Sequence, residues 1–458
     1  MMPKSSPKSS DVCIEQIEVA FSDERLAVPL RLSKGVINEI TYAEVTMTLK
    51  TRTGKMAQGR AAILLSDVWA FPHPTLDHAA KDRAMRALCN ELATRLPKHD
   101  DYSDPLQKLH WLEDALTQAV ASVEEDAGWE PGTVPRLAAL NCLAPFDAAI
   151  HDAWARAIGA SVYQLYSAEW LNADLGSYFA PDLVGDLAGR YPGDYLVARR
   201  PTLRIQHVVG VGDALIPDSA QVAALPDLPT DLTGWVQRDG LRSFKIKSKG
   251  QDPLVDAQRI AAVYSCAYAT ATATAFKARI HLSVDPNEGC PDAAFLLQML
   301  DALAQDSPDA YAALDYIEQP TARDLDSYTF TLHEVAARKP VILDESLDSL
   351  DVLGQMAAQG WSGLAIKTCK GQSAALLAYC WAKAHGYYVT LQDLTNSGRS
   401  LVHSANLAAH LALNVDAFEC NSRQYMPHAR SAEQSAQPAY FRAVKGTLRL
   451  PAAQVGLY

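Results

Sequence analysis

The chain has 458 residues, of which 48% are apolar and 21% charged, with a formal net charge of −12. This composition excludes a disordered or fibrous chain, and the length calls for two domains or for one barrel with an attached domain. The acidic balance, without any clustered block of Lys and Arg, excludes nucleic acid and an anionic membrane surface as partners and leaves a small molecule as the expected ligand. No run of about 18 uninterrupted apolar residues occurs, and MMPKSSPKSSD at the start has no apolar signal segment. Residues 1–12 are therefore expected to be a disordered leader on a cytoplasmic protein. Eight Cys, at 13, 89, 142, 266, 290, 369, 380 and 420, show no CxxC spacing, as expected of reduced thiols with no role in metal binding.

From Cys13 to Leu65 the pattern is that of strands. CIEQIEVAF, AEVTMTLKT and GRAAILLSD are separated by turn-forming segments such as Thr53-Gly54-Lys55, which predicts a small antiparallel sheet. Apolar residues fall at helical spacing between Thr75 and Ala127, and Leu137 to Tyr166 reads as a long helix ending near Gly159. Residues 13–160 thus form an α+β unit.

After about residue 200 short apolar runs alternate with amphipathic stretches: LRIQHVVGV, RSFKIKS, ARIHLSVDP, ALDYIEQP, KPVILDES, GLAIKTC, YYVTLQDL and VDAFECN. Eight such units are what a closed parallel (β/α)8 barrel requires, and residues 161–424 are assigned to it. Most runs end in a charged or polar residue, at the end of the strand where barrel active sites are built.

Three successive runs end in acids: Asp285, Glu318 and Asp344. Neighbouring strands bring such carboxylates around one point, and carboxylate oxygens are the ligands that a hard cation such as Mg2+ prefers. Two other runs end in lysine. Lys245 and Lys247 are two apart on one strand and face the same side, and Lys367 ends the sixth run. A lysine in a barrel mouth is expected to lose pKa by desolvation and so to approach the range of a general base. The rival reading, Lys247 or Lys367 as a Schiff-base nucleophile, leaves the three acids unexplained, and a barrel that binds a carboxylate without turnover is a third reading.

The order KxK, DPNEG, IEQP, DES and IKTCK resembles the muconate lactonizing enzyme and dipeptide epimerase branch of the mandelate racemase/muconate lactonizing enzyme family, in the enolase superfamily, over most of the chain. The segment APFDAAIHDAWARAIGASVYQLY is also similar to that family's bridge into the barrel. The resemblance implies an N-terminal α+β domain that caps the barrel, with the C-terminal segment of about 425–458 packing back on it. It implies one Mg2+ per subunit held by Asp285, Glu318 and Asp344, and an acid/base pair formed by Lys247 and Lys367. Lys245 would hold the substrate carboxylate or stabilise the enolate, with Asn287 and Glu345 supporting the acids or touching substrate. The implied reaction is removal of a proton α to a carboxylate, leading to racemisation, epimerisation, elimination or cycloisomerisation in a homo-oligomeric enzyme. Asp393, after the seventh run, either meets a cationic or hydroxyl group of substrate or supports Lys367.

The sequence departs from the family in four places. Gly371-Gln372 replaces a glycine pair, and Gly59-Arg60 stands where the family carries a glutamate after a turn glycine. A Pro- and Asp-rich insertion spans 213–240. Glu419-Cys420-Asn421 does not reproduce the acidic motif with which dipeptide epimerases bind an ammonium group. In the cap, Arg31 to Lys34 and Trp69 to Phe71 are the expected specificity elements, Arg as a carboxylate fork and the aromatics as apolar walls.

Overall fold

The computed structural model describes residues 7–32, 35–98, 101–217, 225–273 and 279–458. Ser33 and Lys34 lie outside the described residues, as do the side chains of Arg31 and Leu32. Residues 1–6 of the expected leader also lie outside them. Lys8 to Asp11, by contrast, are pinned: the Lys8 ammonium donates to the Leu171 carbonyl at 2.6 Å and the Asp11 carboxylate accepts from Asn172 at 2.7 Å.

The chain begins with three antiparallel strands, β1 (Val12–Leu32), β2 (Gly35–Thr51) and β3 (Met56–Leu65). The strict alternation in β2 decides its faces. Ala43, Val45, Met47 and Leu49 are fully buried, while Glu44, Thr46, Thr48 and Lys50 between them are partly exposed. β1 and β2 run well beyond the predicted runs and form a long two-stranded ribbon. Four helices follow: α1 (Asp67–Ala70), α2 (His78–Arg95), α3 (Lys108–Ala127) and α4 (Arg136–Ile158), which stops at Gly159 in a left-handed cap with φ 90°. The helical spacing read over 75–127 becomes two helices, α2 and α3.

Helix α4 is buried on almost every side, and its polar residues bond to both domains. Asn141 accepts from the Ser66 N–H at 3.0 Å and Asp152 from the Arg60 N–H at 3.0 Å, both on the cap sheet. On the other side Asp147 accepts from the Ser373 N–H and hydroxyl, each at 2.7 Å, and His151 bonds the same hydroxyl at 2.9 Å. Gly59 lies within β3 and not in a turn. A Cβ there would stand 2.2 Å from the Ala149 carbonyl oxygen and 2.4 Å from the Ala153 nitrogen, so glycine is what lets the sheet touch the helix backbone.

After short 3-10 turns the barrel strands follow: β4 (Thr202–Val209), β5 (Ser243–Lys247), β6 (His281–Asp285), β7 (Leu314–Glu318), β8 (Val341–Leu343), β9 (Gly363–Lys367), β10 (Tyr388–Gln392) and β11 (Phe418–Glu419). Each pairs in parallel with the next, and β11 closes on β4. All eight predicted runs become strands. The helices between them are α5 (Leu232–Asp239), α6 (Pro253–Ala273), α7 (Ala293–Asp306), α8 (Pro308–Ala313), α9 (His333–Ala336), α10 (Met356–Gln359), α11 (Gln372–Ala384) and α12 (Gly398–His410). Residues 218–224 of the insertion lie outside the described residues, and its remainder supplies α5. Among the described residues no helix is long and apolar enough to cross a membrane, and all eight cysteines are free.

The C-terminal segment serves both domains. Arg430 pairs with Glu44 of the cap sheet at 3.3 Å and lies 4.3 Å over the Tyr42 ring. Farther on, β12 (Thr447–Arg449) adds antiparallel to β4, a barrel contact that the sequence did not suggest.

Candidate active site

Strand alternation builds the site. In β5, Phe244 and Ile246 are fully buried against the barrel's outer layer, so Ser243, Lys245 and Lys247 face inward. Register brings Lys247 beside Asp285 on β6, and Gln392 on β10 beside both Lys367 and Glu419. Below them Tyr316, Ile342, Ala365, Val415 and Ala417 close the barrel floor.

The three strand-end acids are all buried, and each is held by ammonium groups. Asp285 accepts from Lys247 at 2.5 Å and lies 3.1 Å from Lys245. Glu318 accepts from Lys245 at 2.5 Å and, through its other oxygen, from the Gln392 amide. Asp344 accepts from Lys367 at 2.6 Å and lies 3.3 Å from Lys370, whose ammonium also donates to the Asp344 carbonyl at 2.5 Å. Lys245 reaches Glu419 at 2.8 Å and the Gln392 side-chain Oε1 at 3.0 Å. Asn287 accepts from Lys247 at 2.9 Å and donates to Glu345 at 3.1 Å. The cap enters through Trp69, whose indole N–H donates to Glu345 at 3.1 Å and whose ring lies 4.7 Å from the Lys367 ammonium.

The electrostatics follow from this crowding. Burial raises Glu318 to about 8; Lys245 opposes the shift, and Asp285 and Asp344 add to it. Burial, Asp344 and Asp285 likewise raise Glu345 to about 7. Asp285 goes the other way: burial would raise it, but Lys247 and Lys245 hold it at about 2. The expected fall in lysine pKa does not occur at Lys245 or Lys367. Burial lowers both, but Glu318, Glu419 and Asp285 around the first, and Asp344 beside the second, outweigh it and hold both ammonium groups above the ordinary range.

Among the described residues no group of three or more His, Cys, Asp or Glu side chains is arranged so that it could hold a metal ion. Lysine ammonium groups occupy the carboxylate oxygens of Asp285, Glu318 and Asp344. The donor set nonetheless suits a hard divalent cation. Six carboxyl groups (Asp285, Glu318, Asp344, Glu345, Asp393, Glu419) face four ammonium groups (Lys245, Lys247, Lys367, Lys370), a formal excess of two negative charges. Glu345 Oε2 and Asp393 Oδ2 are buried without a hydrogen-bond partner.

The sequence-predicted residues Lys245, Lys247, Asp285, Asn287, Glu318, Asp344, Glu345 and Lys367 thus form one connected cluster. Asp393 lies at its edge without a bond to Lys367. Two residues of the cluster were not assigned a role from sequence. Lys370 stands one 3-10 turn beyond Lys367, and that i+3 spacing is the signal that could have identified it. Glu419 neutralises Lys245; as one more acid at a strand end, it could have been grouped with the other three. Leu26, Leu30, Ile37, Ile40 and Leu64 of the cap sheet line one cavity together with Lys245, Lys247 and Lys367 of the barrel.

The profile of the family described as Enolase C-terminal domain-like matches residues 227–457. No curated protein matches in sequence. Among solved structures, a mandelate racemase/muconate lactonizing protein from Herpetosiphon aurantiacus is 18% identical, covers 97% of each chain and has a TM-score of 0.59. A dipeptide epimerase from Cytophaga hutchinsonii, complexed with Mg and D-Ala-L-Val, is 15% identical over 97% of this chain and 95% of its own, with a TM-score of 0.58. Muconate lactonizing enzyme from Pseudomonas fluorescens, complexed with muconolactone, is 18% identical over 88% and 86%, with a TM-score of 0.54. At these identities the likeness is one of fold.

Proposed function

We propose, from the premise that this chain belongs to the enolase C-terminal domain-like family, that it is a Mg2+-dependent isomerase or lyase that removes the proton α to the carboxylate of a small substrate. The observation that carries this reading is the opposition of two ammonium groups. Lys247 on β5 and Lys367 on β9, four strands apart in an eight-stranded barrel, line one cavity and contact the two outer members of the acid row, Asp285 and Asp344.

Asp285, Glu318 and Asp344 would hold Mg2+, which would supply Lewis-acid stabilisation to the substrate carboxylate. The chain's own residues do the rest. Whichever of Lys247 and Lys367 has given up its proton takes the α-hydrogen from its side of the carbon; the other, still an ammonium, returns a proton to the opposite face or assists departure of a leaving group. Lys245 is fixed by Glu318, Glu419 and Gln392 and contributes a positive charge beneath the carboxylate oxygens as negative charge builds there. A Schiff base on Lys247 or Lys367 would leave the three strand-end acids Asp285, Glu318 and Asp344 without a role.

The test is α-deuterium incorporation in D2O with Mg2+, over acid sugars, N-acylamino acids and dipeptides as single enantiomers. Lys247→Ala should abolish exchange of one enantiomer and Lys367→Ala that of the other, because a base cannot reach around the carbon. If neither substitution changed exchange, the two-base assignment would be wrong.

A further inference from the structure

The glutamine of the IEQP run has no part in the proton chemistry, yet it ties together the loops that follow β6, β7 and β8. Gln319 is fully buried and holds φ at 28°, in the left-handed region that glycine enters most easily. A glutamine keeps such a conformation only where its surroundings over-determine it. Its backbone N–H donates to the Ile342 carbonyl at 2.9 Å, and its carbonyl accepts from the Glu288 N–H at 2.8 Å. In the side chain, Oε1 accepts from the N–H groups of Asp344 and Ser346 at 2.9 and 3.1 Å. Nε2 donates to the Thr321 carbonyl at 3.1 Å and to the Ser346 hydroxyl at 2.8 Å. The carboxamide is therefore saturated as both acceptor and donor, which a glutamate, having no N–H, could not reproduce. These bonds act where the barrel ladder ends. Asp285 and Glu318 are the last residues of their strands and stay in register with a neighbour, Asp285 with Lys247 and Glu318 with Ile342. The β8 strand ends at Leu343, where its pairing with β9 also stops, so the Asp344 N–H lies beyond the ladder and goes to the Gln319 side chain instead.

We propose that Gln319 is a positioning residue that fixes the backbone of Asp344 against that of Glu318, so that Mg2+ binding at these acids requires movement of side chains only. The reading rests on the proposed Mg2+ site. Glycine at this position would ease the backbone but release Asp344 and Ser346, so the side chain is what makes the strained conformation useful.

The test is calorimetric titration of Mg2+ into the full chain and into Gln319→Met and Gln319→Gly, with thermal unfolding of each in chelator. Methionine keeps the reach and the strain but loses the amide; glycine loses the amide and relieves the strain. Both variants should bind Mg2+ about tenfold more weakly or worse, although the glycine variant melts above the methionine one. Gly59→Ala, destabilised at the cap sheet, is the control and should bind Mg2+ as the parent does. Parent-like affinity in both Gln319 variants would overturn the proposal, and so would an equal loss in Gly59→Ala, since affinity would then merely follow stability. Because the variants could fail to fold, hydrogen exchange on the unaltered protein decides by itself. In chelator the amides of Asp344 and Ser346 should be as protected as those of β9, and rapid exchange there until Mg2+ is added would overturn the proposal. Failure of the parent to bind Mg2+ would remove the metal site and this role together, whereas binding indifferent to Gln319 counts against the positioning role alone.

Discussion

Lys245→Met probes whether ammonium groups and a divalent cation compete for the same oxygens. Lys245 is 1% exposed and lies 2.5 Å from Glu318, 2.8 Å from Glu419 and 3.1 Å from Asp285. Methionine fills similar space without charge, leaving three buried carboxylates with one cation fewer. Removing one partner of a buried ion pair costs about 3–5 kcal/mol. Unfolding entropy of about 2.1 cal/mol/K per residue over 458 residues makes 1 kcal/mol worth about 1 °C, so Tm should fall by about 3–5 °C without metal. The freed oxygens should then bind Mg2+ about tenfold more tightly, adding about 1.4 kcal/mol to metal-induced stabilisation at saturating concentration. Thermal unfolding of both proteins, with chelator and across a Mg2+ titration, reads both effects. A Mg2+-induced rise in the variant no larger than in the parent would refute the competition and, with it, the explanation of why the acids are paired with lysines.

Other expectations follow from the same contacts. Trp69→Phe keeps the ring beside Lys367 but loses the bond to Glu345, and should slow α-proton exchange about tenfold; Trp69→Leu loses both and should slow it about a hundredfold. Equal effects would mean that the ring does not act on the lysine. His403, held by burial at about 3, stays neutral when folded but binds a proton near pH 6.5 when unfolded. The unfolded chain therefore holds more protons between those values, and stability falls as pH drops below about 6.5 and is unaffected above it. His403→Gln should reduce the stability lost between pH 7.5 and 5 by about 2 kcal/mol relative to the parent in denaturant titrations. An unchanged difference would show that His403 titrates normally. Gly59→Ala drives a methyl into the backbone of α4 and should cost about 3 kcal/mol, read as a Tm drop of about 3 °C; wild-type stability would contradict the close approach.

The barrel and the acid cluster were legible because both depend on short-range rules. Strand-end acids and the KxK alternation are set by period-2 geometry, and eight apolar runs leave few ways to close a sheet. What was not legible depends on partners distant in sequence. The pKa of Lys367 is decided by Asp344, 23 residues away and one strand over, so desolvation alone gave the wrong direction. Gly59 was read against a turn because its reason lies on α4, about 90 residues on. The pairing of β12 with β4 links residues more than 240 apart and carries no local signal.

Helix α4 also bears on how a chain of this kind can be recombined. Its hydrogen bonds reach Arg60 and Ser66 in one domain and Ser373 in the other, so it belongs to both. A crossover at the nominal border near residue 160 would keep the helix with the cap and deprive it of its barrel partners in a chimera. The far end of the β1–β2 ribbon touches the cavity but none of those bonds. Exchanging Leu26, Leu30, Ile37 and Ile40 there would change the cavity lining without touching the hydrogen bonds of the helix on which both halves depend.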